Sequence, residues 1–249
     1  KVHAFTGSQQ ALAWYKLPWG DRIELNLSGS YSSSKPNESF SLNRNEYFKT
    51  GEKDLRNYYN DSRSNTYKIR GSFKYGIEIP YTKWTMLVGP KFKQTYQSVK
   101  GLKYRLDELG GDWISNPELM FATLPSNMEQ LSGVMDEDVS RSYQTMRKDT
   151  GAELEFQRNA PSSFLTLSLS LSKEKERINY HTSALDTIAR RSRMVFRPTF
   201  MYGCYDDKKS ISLTYYMQSQ MPDFFSIMPY RDNSNPLAVR VNNPDLENS

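Results

Sequence analysis

The sequence predicts an all-β protein: about eight antiparallel strands that form part of an up-and-down transmembrane β-barrel and are too few to close it. Three observations predict this fold. Apolar and polar residues alternate along the strand-like segments, the apolar residues gather at one end of each segment, and short turns alternate with long polar connections. A soluble sheet has no reason to keep an apolar band at one end of every strand, whereas a barrel must match the hydrocarbon layer of a membrane.

The alternation is clearest in two segments, 23–31 and 67–79. Their odd positions are mostly apolar or aromatic, and their even positions are polar or charged, apart from scattered glycines. Successive side chains of a strand point to opposite faces, so this period of two predicts one apolar and one polar face. Residues expected on the apolar face are Leu25, Leu27, Ile77, Leu167, Leu169, Phe196 and Leu213, with Lys74, Thr166 and Ser212 on the other.

The expected strands are separated alternately by short turns and long polar segments. The strands are Gln9–Leu17, Arg22–Ser33, Thr66–Ile79, Trp84–Val99, Ser142–Phe156, Ser163–Lys173, Arg190–Tyr202 and Ser210–Gln218. The turns are Pro18–Asp21, Pro80–Lys83, Asn159–Ser162 and Gly203–Lys208, and the long segments are Ser34–Ser64, Gly101–Ser140, Arg177–Ala189 and Ser219–Ser249. Short turns on one side and long loops on the other are typical of outer-membrane barrels.

Several features refine or resist this scheme. Apolar bands of about nine residues approach the roughly 9–11 that a tilted spanning strand needs. Trp84, Phe156, Phe164 and Tyr202 fall near the short turns, where an aromatic girdle would lie. Pro90 and Pro198 interrupt predicted strands, the first strand alternates poorly, and Leu102–Leu109 is compatible with a short helix.

Composition excludes some classes of protein. The 249 residues contain no run of eighteen apolar residues, so no transmembrane helix is predicted, and a mean hydropathy of −0.74 still suits a barrel with polar loops. The net charge of +5 is scattered, without a basic stripe, so no nucleic-acid partner is expected. The first ten residues lack the apolar core of a signal peptide, which indicates a mature protein or an internal piece. Cys204 is the one cysteine, so no intrachain disulfide is expected.

The C-terminal segment carries the most specific motif. It contains Pro229, Asp232, Asn235, Pro236 and Leu237, followed by Asn243, Pro244 and Leu246. This ordered series resembles the C-terminal signature of TonB-dependent outer-membrane receptors, in particular the outer-membrane β-barrel family of Bacteroidetes. The chain departs from that pattern at Asn242, where the family usually has Gly, and at Asn248, where it often has Pro.

The resemblance implies a localisation and a function. Such receptors are plugged barrels of about 22 strands. They lie in the outer membrane of Gram-negative bacteria and import scarce siderophores, cobalamin or glycans with energy supplied by the TonB system. Nothing in the sequence resembles the plug that contacts TonB, so residues 1–249 are interpreted as one partial barrel domain. The expected partners are outer-membrane lipid, TonB through a plug outside this sequence, and a small-molecule or oligosaccharide substrate.

No catalytic, cofactor-binding or metal site is predicted. His3 and His181 lack a neighbouring nucleophile or metal-ligand spacing, and the acidic clusters at 136–138 and 206–207 match no calcium-loop spacing. Charged residues on the polar strand faces either line a barrel lumen or belong to a solvated sheet face. They are Lys68, Arg70, Lys74, Lys91, Lys93, Arg147, Glu153, Glu155, Arg193 and Arg197.

Substrate recognition is expected in the long loops, because loops on a rigid scaffold vary without disturbing the ladder. The candidate residues are Tyr58, Tyr59, Trp113, Tyr230 and Arg231. Aromatic and arginine side chains are enriched at binding hot spots, although the tyrosines and Trp113 could equally pack the loops together. Two other classes stay open: a soluble antiparallel β-sheet module for binding or adhesion, and, less favoured, an outer-membrane enzyme.

Overall fold

The computed structural model describes residues 4–137, 139–181, 186–206, 209–219, 231–232 and 240–241. Within them one sheet of eight antiparallel strands dominates, and each strand pairs with its neighbours in the sequence. The strands are β1 (Ala4–Lys16), β2 (Arg22–Glu46), β3 (Lys53–Glu78), β4 (Trp84–Arg105), β5 (Arg141–Ala160), β6 (Ser163–His181), β7 (Asp186–Asp206) and β8 (Lys209–Tyr216). A separate two-stranded ladder joins β9 (Arg231–Asp232) to β10 (Arg240–Val241).

The all-β, up-and-down architecture predicted from the sequence is confirmed. Among the described residues β1 and β8 do not pair with each other, so the sheet is open. Three short helical segments lie between β4 and β5: 3₁₀ helices at Leu106–Leu109 and Met128–Val134, and α1 at Asp112–Ser115. None of these described helices is long and apolar enough to cross a membrane.

The predicted arrangement of the two ends is also confirmed for the described part of the chain. The turns that contain Pro18, Pro80 and Pro161 join consecutive strands at one end of the sheet. Leu106 follows β4 at the opposite end, where Arg105 pairs with Tyr58. The last long segment, Ser219–Ser249, lies almost wholly outside the described residues.

The strands are longer than the apolar pattern predicted. Most of the segments Ser34–Ser64 and Arg177–Ala189, expected to be loops, belongs to paired strands. A ladder needs only backbone N–H and C=O groups, so polar side chains on both faces do not prevent it. The expected helix at Leu102–Leu109 is strand up to Arg105 and 3₁₀ helix from Leu106.

The register confirms which side chains share a face, because directly paired residues point the same way. We call the surface that bears Leu25, Leu27, Ile77, Leu167, Leu169, Phe196 and Leu213 the apolar face, and the surface that bears Lys74, Thr166 and Ser212 the polar face. In β1, Ala13 and Tyr15 lie on the apolar face and Trp14 on the polar face. Phe164 pairs with Gly203 on the polar face, so its expected place in a girdle with Trp84 is wrong.

The two faces differ in burial. Leu171 on the apolar face is 51% exposed, whereas the next residue, Ser172 on the polar face, is 1% exposed. Glu174 and Glu176 are buried on the polar face as well. Buried polar side chains beside exposed apolar ones indicate a sheet that curls toward its polar face.

The hairpins are staggered in one direction along the sheet. The pair Lys16–Arg22 closes the first hairpin. Arg22 also pairs with Gly76 of β3, and β3 continues for two more residues, to Glu78, before its own hairpin turn. The next two hairpins show a similar offset. The first residue of β4 that pairs with β3 lies opposite Gln157, and the first residue of β6 that pairs with β5 lies opposite Cys204. Beyond these residues β5 and β7 continue to Ala160 and Asp206. For strands about 4.8 Å apart with a rise of about 3.4 Å, this stagger corresponds to a tilt of roughly 40°, which is typical of barrels.

The prolines inside strands have different surroundings. Between Ser72–Lys91 and Tyr75–Val88 the β3–β4 ladder is interrupted opposite Gly89 and Pro90, because proline has no N–H to donate. At Pro198 the β6–β7 register continues without a shift, with Pro198 opposite Leu169, and the Pro198 carbonyl accepts a hydrogen bond from Met217 N at 3.2 Å. In β2 the register with β3 shifts between Ser34 and Asn37, next to Pro36.

Candidate functional site

The β2–β3 hairpin extends beyond both neighbouring strands at the long-loop end. The outermost described pair of β1 is Ala4–Ser34, and β4 ends at Arg105, opposite Tyr58. The hairpin continues to the pair Glu46–Lys53, and its turn is closed by a 2.9 Å hydrogen bond from Tyr47 N to Glu52 O. This projecting hairpin places residues 42–57 beyond the described ends of both neighbouring strands.

Residues 106–140 fold against this hairpin instead of forming an open loop, and we call them the cap. Leu106, Leu131 and Val134 of the cap are buried against Tyr59 of β3. Around them pack the half-buried Phe40, Tyr104, Leu109, Trp113 and Leu124. The cap therefore has a small hydrophobic core shared with the hairpin.

Aromatic rings form the hairpin side of this core. The Tyr59 ring stacks on Tyr104 with 5.8 Å between centroids and lies 5.3 Å from Phe40. Phe121 of the cap meets Phe40 edge-on at 6.4 Å. Burial raises the pKa of Tyr59 to about 12, with the carboxylates of Glu38 and Asp61 adding to the shift.

Polar contacts fix the cap at its two ends. Tyr58 donates its hydroxyl to Asp136 at 3.1 Å, and the Asp136 amide donates to the Lys103 carbonyl at 2.9 Å. At the other end the backbone N–H of Asn57 donates to the Asp107 carboxylate at 2.9 Å. Burial raises the pKa of Tyr58, so its hydroxyl stays protonated and able to donate at neutral pH.

The residues expected to contact substrate have different places in the structure. Tyr58 and Tyr59 are 2% and 4% exposed, and Trp113 is half-buried against the core of the cap. The three residues thus pack the cap onto the hairpin, which is the alternative role that the sequence left open. The Arg231 backbone belongs to β9, and Tyr230 lies outside the described residues.

The family-motif residues also fall mainly outside the described chain. Asp232 is described as part of β9. Pro229, Asn235, Pro236, Leu237, Asn243, Pro244 and Leu246 lie outside the described residues.

The cap exposes apolar side chains that the sequence analysis did not identify. Leu119 is 79% exposed, and Ile114 and Met128 are more than half exposed. Beside Leu119 a recess of about 720 Å³ lies between the cap and the hairpin tip. Lys53 lines it together with Arg44 and Glu118, whose side chains form an ion pair at 3.2 Å. The signal available in the sequence was the presence of apolar residues in a segment without strand alternation.

The ten charged residues expected to line a lumen all lie on the polar face, as predicted. Lys74 binds Glu153 at 2.9 Å and Glu155 at 2.6 Å, and Lys91 binds Glu153 at 3.3 Å. On β5–β7, Glu174 pairs with Arg193 and Arg197, and Glu176 pairs with Arg147 and Arg191. These contacts hold the half-buried charges of the polar face in networks across three or more strands.

Some cations on the polar face form no ion pair with another described residue: Lys68, Arg70 and Lys93. Arg70 and Lys93 line a recess of about 500 Å³ together with Lys74 and Asp149. This region of the polar face could attract an anionic solute or a carboxylate of a neighbouring domain.

The described residues do not form a metal-binding cluster. They contain no group of three or more His, Cys, Asp or Glu side chains arranged to hold a metal ion. His181 is exposed and lies 3.5 Å from Asp186, and Asp136 accepts the hydrogen bond from Tyr58. His3 and Asp207 lie outside the described residues.

No protein-family model matches this chain, and no curated protein gives a significant match to it.

Proposed function

We propose that this chain is part of the barrel of a TonB-dependent outer-membrane receptor that binds a scarce substrate at the cell surface and imports it. The substrate class is a siderophore, a cobalamin or a glycan. The chain supplies one arc of the barrel wall, and the cap and the projecting hairpin form part of its substrate-binding surface.

The proposal is carried by the exposed apolar face of the eight-stranded meander. No described segment covers the band of Leu27, Phe73, Leu171, Phe196 and Leu213, each of which is more than one third exposed. A soluble sheet would cover such a band with a second layer, since large exposed apolar patches favour association. In a membrane, the hydrocarbon chains of the lipids cover such an apolar band directly.

Two further observations support the same proposal. The strands are staggered as a barrel requires, and the sheet curls toward a polar face on which most of the predicted lumen charges are ion-paired. The C-terminal motif from Pro229 to Leu246 resembles the signature of TonB-dependent receptors and supports the proposal that this chain belongs to that family.

Nitroxide labels in the complete protein that carries this chain test the orientation of the sheet. Cysteines at Leu169 and Leu213 should place labels in the acyl-chain region, where dissolved oxygen relaxes them and a polar nickel chelate does not. Labels at Ser170 and Ser212, one residue away on the polar face, are the matched controls. If the chain were instead a soluble binding module, the labels on the two faces would be equally accessible to the nickel chelate, or the protein would remain monodisperse without detergent.

Uptake measurements test the receptor function. The complete protein should support accumulation of a siderophore, cobalamin or oligosaccharide in a strain with an intact TonB system and lose that activity when TonB is deleted. Accumulation that is independent of TonB would contradict the proposed mechanism and leave the barrel fold unaffected.

A further inference from the structure

The apolar face changes character above its hydrocarbon-matching band. On β5, β6 and β7, five of the exposed residues on the long-loop side of Leu171 and Phe196 are lysine or arginine, among neighbours such as Thr150, Ser192 and Met194. We call this group the basic patch: Lys148, Lys173, Lys175, Arg177 and Arg190. It lies toward the long-loop end of the sheet, away from the short turns.

The register brings like charges directly opposite each other in this patch. Lys148 pairs with Lys175, and Arg177 pairs with Arg190. Like charges at directly opposed positions destabilise a sheet. The arrangement therefore needs a compensating anion to be favourable.

Among the described residues, no carboxylate of the same face forms an ion pair with a residue of the patch. The apolar face of β5 and β6 carries no Asp or Glu. On β7, Asp186 lies at the long-loop end, four residues from Arg190, with its carboxylate 3.5 Å from His181. Among the described residues Arg177 has a neutral partner: its Nε donates to the Asn179 side-chain oxygen at 3.0 Å.

The polar face of the same strands shows the contrast. Arg193 binds Glu174 at 3.0 Å, and Arg147 binds Glu176 at 2.7 Å. On β5–β7 the polar-face residues Arg147, Arg191, Arg193 and Arg197 are thus ion-paired, whereas the five residues of the basic patch form no ion pair with another described residue. A general excess of positive charge does not account for this difference between the two faces.

The surroundings define what kind of anion fits. Met194 lies opposite Lys173, and Phe196 lies opposite Leu171, so exposed apolar side chains continue directly from the patch into the band. A ligand that spans both regions has phosphate groups at one end and acyl chains at the other. Several lysines and arginines near a membrane surface attract anionic headgroups in this way.

We infer that the basic patch binds the phosphate groups of an anionic lipid in the leaflet on the long-loop side of the membrane, with its acyl chains along Leu171, Met194 and Phe196. This inference rests on the proposed membrane-spanning barrel. In an outer membrane the lipid of matching chemistry is a phosphorylated glycolipid of the outer leaflet.

Lipid titration of the complete protein in uncharged maltoside micelles tests the inference. The probes are a synthetic phosphorylated lipid A and the same glycolipid without phosphates, and native mass spectrometry counts the bound molecules. The variant K148Q/K175Q/R177Q removes three charges from the patch. The matched control K68Q/R70Q/K93Q removes three charges from the polar face.

The patch variant should bind phosphorylated lipid A roughly 100-fold more weakly, because each basic residue near an anionic group contributes about fivefold. The control should bind within about twofold of the unsubstituted protein, and the dephosphorylated glycolipid should bind all three proteins weakly. Equal weakening by both triple variants, or unchanged binding by the patch variant, would overturn the inference. Full displacement by millimolar inorganic phosphate would also overturn it, since a free anion would then suffice.

Membrane insertion is measured separately on the same samples. Two measurements show whether the barrel has formed. The unheated protein should migrate as a compact species in detergent gels, and the nitroxide labels at Leu169 and Ser170 should differ in their exposure to lipid. A protein that passes these tests but does not select phosphorylated lipid contradicts the lipid site alone. A protein that fails them contradicts the proposed function.

Discussion

Gly89 lies so close to the β3 backbone that a Cβ atom at this position would be 1.8 Å from the Phe73 carbonyl oxygen. The contact coincides with the interruption of the β3–β4 ladder beside Pro90. The close approach of the two backbones depends on the absence of a side chain at residue 89.

Gly89→Ala should therefore lower the free energy of unfolding by about 1–3 kcal/mol, as expected for overpacking against backbone that cannot move aside. Gly29→Ala is the control, because a Cβ at residue 29 meets no atom within 4 Å. Urea titration of the complete protein in detergent micelles would measure both. A Gly89→Ala midpoint equal to that of Gly29→Ala would contradict the close approach.

Leu167→Arg tests the hydrocarbon-facing band. If Leu167 faces the middle of the bilayer, an arginine there should cost about 2–4 kcal/mol in folding into lipid vesicles. Thr166→Arg places the same side chain one residue away on the polar face and should cost much less. Equal costs for the two substitutions would indicate that neither face contacts lipid.

Tyr59→Ala tests whether the cap depends on its aromatic core. Removal of a buried aromatic ring should destabilise the closed cap by about 3–5 kcal/mol, while the sheet stays paired. Hydrogen exchange of residues 106–134 would report this opening as a loss of protection confined to the cap. Leu119→Ala, which removes an exposed side chain, should leave the exchange pattern unchanged.

Substrate binding should depend on the exposed surface of the cap more than on its buried tyrosines. Leu119→Asp should weaken binding at least tenfold, because it places a carboxylate in the recess beside Arg44 and removes the apolar contact. Tyr58→Phe removes the hydrogen bond to Asp136 and should change affinity by less than about threefold if the cap stays closed. Calorimetry with the imported substrate would compare the two, and a larger effect of Tyr58→Phe would assign recognition to the inner side of the cap.

A deletion of residues 111–131 would give a less specific answer. It would remove Leu131 from the core and uncover Tyr59, so lost binding would not distinguish a missing contact from an unfolded cap. Point substitutions at exposed positions avoid this ambiguity.

The sequence predicted the parts of the fold that depend on local alternation. Leu25, Ile77 and Leu167 lie on one face as expected, because a period of two fixes which way each side chain points once the strand forms. The order of the strands followed equally well, since short turns between alternating segments leave antiparallel neighbours as the simplest arrangement.

Strand length and the cap could not be predicted in the same way. Beyond Ser34 and Lys173 the strands carry polar side chains on both faces, so the hydrophobic pattern ends while the backbone ladder continues. The burial of Tyr59 depends on contact with Leu131, which is distant in the sequence and shares no pattern with it. Such packing is decided by tertiary structure and leaves no local periodicity.

The shared core of the projecting hairpin and the cap has a consequence for kinetics. A recognition surface that is already ordered loses little chain entropy when substrate arrives. Substitutions at its exposed residues should then alter the rate at which substrate leaves far more than the rate at which it arrives. A receptor built in this way would capture a dilute nutrient at a nearly constant encounter rate and would tune its retention through residues such as Leu119 and Ile114.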